Sequence, residues 1–431
     1  MKRNKLLVVS IDSLFYKDTE YIKDMPNFGK ILKNGSYVKG MRAIYPTLTY
    51  PCHVAIMCSK YAAESGVYHN EKFEPGNSTP EWFWWYSDLK CKTILDYAKE
   101  CGYTTAAFNW PVLCDSKNID HLQGEIWARP EFGENQEEIY RSACSDSIMD
   151  GIYQRYQHEL RGNTTPYFDE FTVLCATDVI RKYTPDITLV HFSLLDHARH
   201  ASGLYGYAVT TAMAECDARF GRLLYAYQDA DALEDLNIIV LGDHGHLPVK
   251  QLFNPNVLFR EAGLIDVSEN GKITDYRAYC HSSALSCMVV LKDPDDKNTR
   301  EKVEALLNGW VIDHSIGVEA CYNKQQALEL YNLKGDFDYI LEGCNDTAFG
   351  NELAGNVITS ADNRDYKYSV ASHGHLPDKG DDPAFIACGP DIKQGVVLER
   401  GSLMDEAPTF ARLLGFDFPD ANGRVLEELL R

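Results

Sequence analysis

Apolar residues in this chain fall into short unbroken runs, separated by stretches with helical spacing. Leu6 to Ile11 is such a run and predicts a strand covered on both faces, with Asp12 at its carboxyl end. Pro26 to Lys33 opens on a proline and stops at Asn34-Gly35, which predicts a short helix. Thr93 to Cys101 reads as a helix stopped by Gly102, and Thr104 to Phe108 as the next strand. Ile187 to Phe192 and Asn237 to Leu241 are two more buried strands, with helical spacing from Gly206 to Tyr227 between them. Alternation of this kind predicts an α/β fold, with a mostly parallel central sheet flanked by helices. Such sheets bind ligands beyond the carboxyl ends of their strands. Asp12, Asp196 and Asp243 all follow predicted strand ends.

The pattern changes between residues 247 and 365. Ser286 to Leu291 reads as a strand, Thr299 to Leu307 as a helix, and Gly317 to Cys321 and Gln325 to Leu330 continue a small α+β pattern. We therefore expect a catalytic core from residues 1–246 and 366–431, with 247–365 as an α+β insertion or cap. Pro383 to Ala387 and Glu406 to Leu414 supply a further strand and a closing helix.

The chain has 431 residues, enough for one large domain with an insertion or for two domains. The 42 basic and 63 acidic side chains give a formal charge of −21, which excludes wrapping of a nucleic-acid polymer. A small anionic substrate remains compatible, because bound divalent ions reverse the field locally. Thirteen cysteines without a CxxC pair suggest reduced thiols and a cytoplasmic protein. Met1 to Lys5 followed by Leu6 to Val9 superficially resembles a signal peptide, but the run is short and Asp12 ends it. No membrane-spanning segment is expected, and oligomeric state is not legible.

Candidate chemistry lies in the placement of Asp and His. Asp196 and His200 would share a face if their segment is helical. Asp243 and His244 sit in Gly-Asp-His-Gly-His, and His373 in Ser-His-Gly-His. Imidazole with carboxylate suits zinc and similar ions, manganese and iron included. His121, His158, His191, His281 and His314 lack such context and read as ordinary histidines. Around Thr49, Pro46 and Pro51 predict a fixed turn and disfavour an ordinary helix. The Trp82-Phe83-Trp84-Trp85-Tyr86 run fits either core packing, its commoner use, or an aromatic wall for a flat or cationic group.

Together these segments resemble the nucleotide pyrophosphatase/phosphodiesterase branch of the alkaline phosphatase superfamily. The family's Pro-Thr-x-Thr-Phe-Pro-Asn-His segment reads Pro46-Thr47-Leu48-Thr49-Tyr50-Pro51-Cys52-His53 here, with Thr49 in the nucleophile place. Its His-Gly-Ile-x-x-Asn element matches Ser65 to Asn70, and Asn70 takes the phosphoryl-binding role. Its Asp-x-x-x-His, Ser-Asp-His-Gly-Met and late His-Gly motifs fall on Asp196/His200, Gly242 to His246 and His373-Gly374. Phe108 to Pro111 resembles a Trp-Pro element. Cys52, Tyr50 and Ser65 depart from the pattern, all in substrate-facing parts.

The resemblance implies an alkaline-phosphatase-like core and two divalent metal ions of zinc type. One would bind Asp12, Thr49, Asp243 and His244, the other Asp196, His200 and His373. It further implies hydrolysis of a small phosphodiester or nucleotide through a phosphothreonine, with Asn70 and the Tyr50 backbone N–H stabilising the phosphoryl oxygens. Tyr50, Asn70, Trp84 and Trp110 are the expected substrate contacts. Alternatives are a phosphonoacetate-type C–P hydrolase with the same metal set, a non-catalytic metal-stabilised binding protein and, ranked lowest, a phosphosugar mutase.

Overall fold

The computed structural model describes residues 4–161 and 164–431, so Met1 to Arg3 of the leader-like segment lie outside it. Leu6 to Ile11 form β1 (Lys5–Ile11), buried on both faces, which is why the run shows no alternation. The other strands used below are β2 (Ser36–Val38), β3 (Thr105–Trp110), β4 (His121–Gly124), β5 (Ile187–Phe192) and β6 (Leu236–Leu241). They continue with β7 (Ala278–Ser282), β8 (Ser286–Leu291), β9 (Val318–Asn323), β10 (Tyr339–Gly343), β11 (Phe385–Cys388) and β12 (Val397–Leu398).

Eight strands form the main sheet in the order β12-β2-β11-β6-β1-β5-β3-β4. Every pairing is parallel except the two made by β11. β1 lies between β5 and β6, with Ile11 opposite Phe192 and Ser10 opposite Leu241. That register brings the residues following all three strands to one edge.

Helices α1 (Thr49–Cys58), α2 (Tyr167–Tyr183), α3 (Leu194–Ser202), α4 (Tyr207–Asp229) and α5 (Glu406–Leu414) flank this sheet. α2 packs on α4 and against β3 and β5, while α5 packs on α1 and β1. The expected turn at Thr49 is instead the start of a helix. Pro51 sits in the first turn of α1, where its missing N–H has no intrahelical partner to lose. All ten residues of α1 are buried, so it is a core helix. Helix α2 and strand β4 were not anticipated. A strand as short as His-Leu-Gln-Gly carries no readable period.

Within 247–365, β7, β8, β10 and β9 form an antiparallel sheet in that order. Helix Lys297–Ile312 contributes Val303, Leu307 and Trp310 to a separate apolar cluster with Phe253, Val289 and Leu341. Leu247 and Pro248 pair with Ser372 and Ala371, which fastens the start of this segment beside His373. No helix is long and apolar enough to cross a membrane among the described residues.

Candidate active site and metal-ligand groups

Asp12 leaves the end of β1, and Asp243 and His244 leave the end of β6. Because β1 and β6 are neighbours, their ligand atoms converge within 4.8 Å. His244 Nε2 lies 3.2 Å from Asp12 Oδ1, 3.3 Å from Asp243 Oδ2 and 3.1 Å from Thr49 Oγ1. The first helical position of α1 thus delivers the Thr49 hydroxyl to this group. Close approach of the chains is built in: a Cβ on Gly242 would fall 2.1 Å from the Leu14 carbonyl oxygen. The Ser13 N–H donates to Asp243 Oδ1 at 3.0 Å and ties the two strand ends together.

The second group forms on α3, which follows β5. Asp196 and His200 share a helix face, as their spacing predicts, 3.2 Å apart. His373 joins from the chain after the antiparallel segment, and His246 joins from beyond β6; all four ligand atoms lie within 4.8 Å of one another. His200 Nδ1 donates to the Ala371 carbonyl at 2.7 Å and His373 Nδ1 to the Thr47 carbonyl at 3.0 Å. A carbonyl can only accept, so in the neutral ring each Nε2 is the lone-pair nitrogen facing inward, the usual outer support of a metal-ligating histidine. The His244 and His373 rings stack 3.9 Å apart and join the two groups.

These residues fit divalent cations on their own chemistry. Asp12 Oδ1, Asp196 Oδ1, Asp243 Oδ2, His200 Nε2 and both nitrogens of His246 are buried without a hydrogen-bond partner. Leaving so many buried polar atoms unpaired costs about 1–3 kcal/mol each. Burial and the facing Asp243 carboxylate push Asp12 well above the ordinary aspartate range. Asp243 is pushed up to about 8, by burial first. Burial also pushes Asp196 up, but His200, His246 and His373 outweigh it and hold Asp196 well below that range. A bound cation relieves the crowding of Asp12 and Asp243.

Both groups open onto a cavity of about 350 Å³, lined by Asp12, Thr49, Asn70, Asp196, His200 and His373. Its outer wall is aromatic, from Trp82, Trp127, Phe168 and Tyr366. Of the Trp-rich run, Trp82 reaches the cavity while Trp84 does not. Trp84 is 1% exposed and packs against Trp127 and Arg129. Trp110 is likewise buried, edge-on to His53. Tyr50 is buried beneath Trp82, and its ring does not line the cavity. Its backbone N–H is occupied by Asn70 Oδ1 at 3.0 Å.

Several neighbours were not legible beforehand. Glu125 follows β4 as Asp12 follows β1, and it lines the cavity with Oε2 unpaired. Burial pushes its carboxyl up to about 8. An acidic residue directly after a strand was the available signal, but β4 was too short to reveal it. His191, read as an ordinary histidine, places Nε2 3.5 Å from Asp12 Oδ2. His281, read the same way, gathers with His69 and Glu71. That third group already holds a cation, since the Lys367 ammonium pairs with Glu71. His69 also spends both nitrogens, accepting the Glu71 N–H at 2.9 Å and donating to the Ser282 carbonyl at 3.2 Å. The His314 side chain lies outside what the structure describes.

Residues 6–367 match the family described as type I phosphodiesterase / nucleotide pyrophosphatase. The chain is 23% identical over 448 residues to human ectonucleotide pyrophosphatase/phosphodiesterase family member 7, covering 99% of this chain and 83% of that protein. It is 25% identical over 237 residues to mouse family member 3, covering 51% of this chain and 22% of that protein. The chain spans about a fifth of the length of the first curated relatives it matches. Murine ectonucleotide pyrophosphatase/phosphodiesterase 5 shares the fold with a TM-score of 0.70 at 16% identity, over 99% of this chain and 100% of that one. With the family match running from β1 through the antiparallel segment to Lys367, the chain belongs to the type I phosphodiesterase / nucleotide pyrophosphatase family.

Proposed function

We propose that this protein hydrolyses small phosphodiesters or nucleotide phosphoanhydrides through a phosphothreonine on Thr49. The observation that carries the reading is the Thr49 hydroxyl 3.1 Å from His244 Nε2, at the floor of a cavity shared by both ligand groups. Asp12, Thr49, Asp243 and His244 would hold one divalent ion, and Asp196, His200 and His373 the other; zinc suits these donors. Such ions supply Lewis-acid charge and lower the pKa of a hydroxyl or water beside them.

Thr49 Oγ1 would attack phosphorus in line as the alcohol or phosphate leaving group departs on the opposite side. Asn70 would donate an N–H to a non-bridging oxygen, where charge grows in the transition state. The Thr49 hydroxyl proton would leave with the departing group, and water would then cleave the Thr49 ester by the reverse geometry, releasing a phosphomonoester and returning a proton to Oγ1. The aromatic wall of Trp82, Trp127 and Tyr366 would hold an apolar or flat part of the substrate and keep bulk water out. The acidic surface is consistent with a small-molecule substrate.

A C–P hydrolase needs a free cation to grip the substrate carboxylate. Arg364 reaches the cavity, but it is paired with Glu352 at 2.7 Å and Asp362 at 2.9 Å. The diesterase reading is therefore favoured. Its test is hydrolysis of p-nitrophenyl thymidine monophosphate beside p-nitrophenyl phosphate, with and without chelator. Chelator-sensitive preference for the diester is expected. Faster turnover of the monoester, or indifference to chelator, overturns the proposal.

A further inference from the structure

We propose that His246 is a fourth protein ligand of the second ion, so that this site is built from Asp196, His200, His246 and His373. The inference rests on the two-ion reading above and adds to it a residue outside the family pattern, which carries methionine at this position.

Three observations point the same way. His246 Nε2 lies 3.2 Å from Asp196 Oδ1, and its ring sits 4.8 Å from that of His200 and 5.1 Å from that of His373. The side chain is 1% exposed, and neither ring nitrogen has a hydrogen-bond partner. Imidazole always carries at least one lone pair and one N–H when neutral, so burial with both unmet is unfavourable unless something binds there. His200 and His373 each anchor Nδ1 on a backbone carbonyl and turn Nε2 to the same point. His246 has no such anchor, and an ion at the point faced by Asp196, His200 and His373 would give its Nε2 a partner.

Three imidazoles and one carboxylate would together supply four donors of the kind a zinc-type ion takes. A site with four protein ligands keeps its ion more firmly than one with three.

The test is a titration of the metal-stripped protein with Co²⁺, followed by visible absorption and by competition with a chelator. Wild-type protein is expected to take up two ions. His246→Met should weaken one of the two sites by at least about tenfold, the order seen when even a supporting residue of a metal site is removed. It should also shift that site's absorption band and leave the other site unchanged. His246→Gln is measured in parallel, and circular dichroism of both stripped variants checks that they fold. Two ions bound with unchanged affinities and bands in the variants overturn the role of His246 alone. Fewer than two ions in the wild type overturn the two-ion reading and this inference with it.

Discussion

Asn70 accepts the backbone N–H of Tyr50 through Oδ1 at 3.0 Å. A backbone N–H can only donate, so this contact decides which end of the amide faces inward: Nδ2 is left for the cavity that Asn70 lines. The same contact takes up the Tyr50 N–H expected to serve the phosphoryl oxygens. In this conformation Asn70 would be the donor beside Thr49, with the Tyr50 N–H holding its amide in place. Asn70→Ala should lower kcat on a diester by about 10²–10³-fold, the usual effect of losing one such donor. Asn70→Asp keeps the acceptor for Tyr50 but replaces the donor with charge, and should be at least as slow. Steady-state kinetics of the two variants checks this; an Asp variant near wild-type rate would remove Asn70 from the role.

Thr49 is placed by the first turn of a wholly buried helix, which leaves its hydroxyl little freedom. Thr49→Ala should reduce turnover by up to about 10⁶-fold, the scale of nucleophile loss in acyl transfer. Thr49→Ser should retain measurable activity. Acid quenching with labelled substrate should trap label on the wild type and none on Thr49→Ala. Label retained on the Ala variant would move the nucleophile elsewhere.

Burial pushes the Glu125 carboxyl up to about 8 in the folded protein, against an ordinary 4.5. A raised carboxyl makes the folded state bind the extra proton. Its stabilising contribution is complete below about 4.5 and is lost as pH rises to about 8. Metal-free protein should therefore lose stability across that window by up to about 1.4 kcal/mol per pH unit from this group. Glu125→Gln should flatten the slope. Urea unfolding at pH 5 and pH 8 measures it, and equal slopes in the two proteins would contradict the assignment.

Lys367 and Glu71 form a buried ion pair, 5% and 4% exposed, immediately behind Asn70. Burial pushes Glu71 up, but Lys367 and the histidines beside it hold the carboxyl below the ordinary range. Lys367→Met should cost about 3–5 kcal/mol, because it strands a buried charge. Adding Glu71→Gln should recover part of the loss. Denaturant midpoints of the single and double variants decide the matter, and a single variant as stable as wild type would show the pair to be neutral.

Much of the site is local in the chain and was legible there. Asp12 and Asp243 terminate apolar runs, and the Asp196–His200 spacing marks one helix face before any partner is known. Strands β1, β5 and β6 announce themselves because burial on both faces leaves no polar alternation. Tertiary structure decided what periodicity cannot encode, namely which faces meet. The β5-β1-β6 order sets Asp12 beside Asp243 and His244. The chain after the antiparallel segment returns His373 to α3, and His246 falls into the second group although its neighbour His244 falls into the first. Trp82 faces the cavity and Trp84 the core, two residues apart, because ring direction depends on the neighbours each meets. Residue types and spacings carry the chemistry of each candidate ligand; how many of them gather around one point is a property of packing, which forms only when distant segments are buried together.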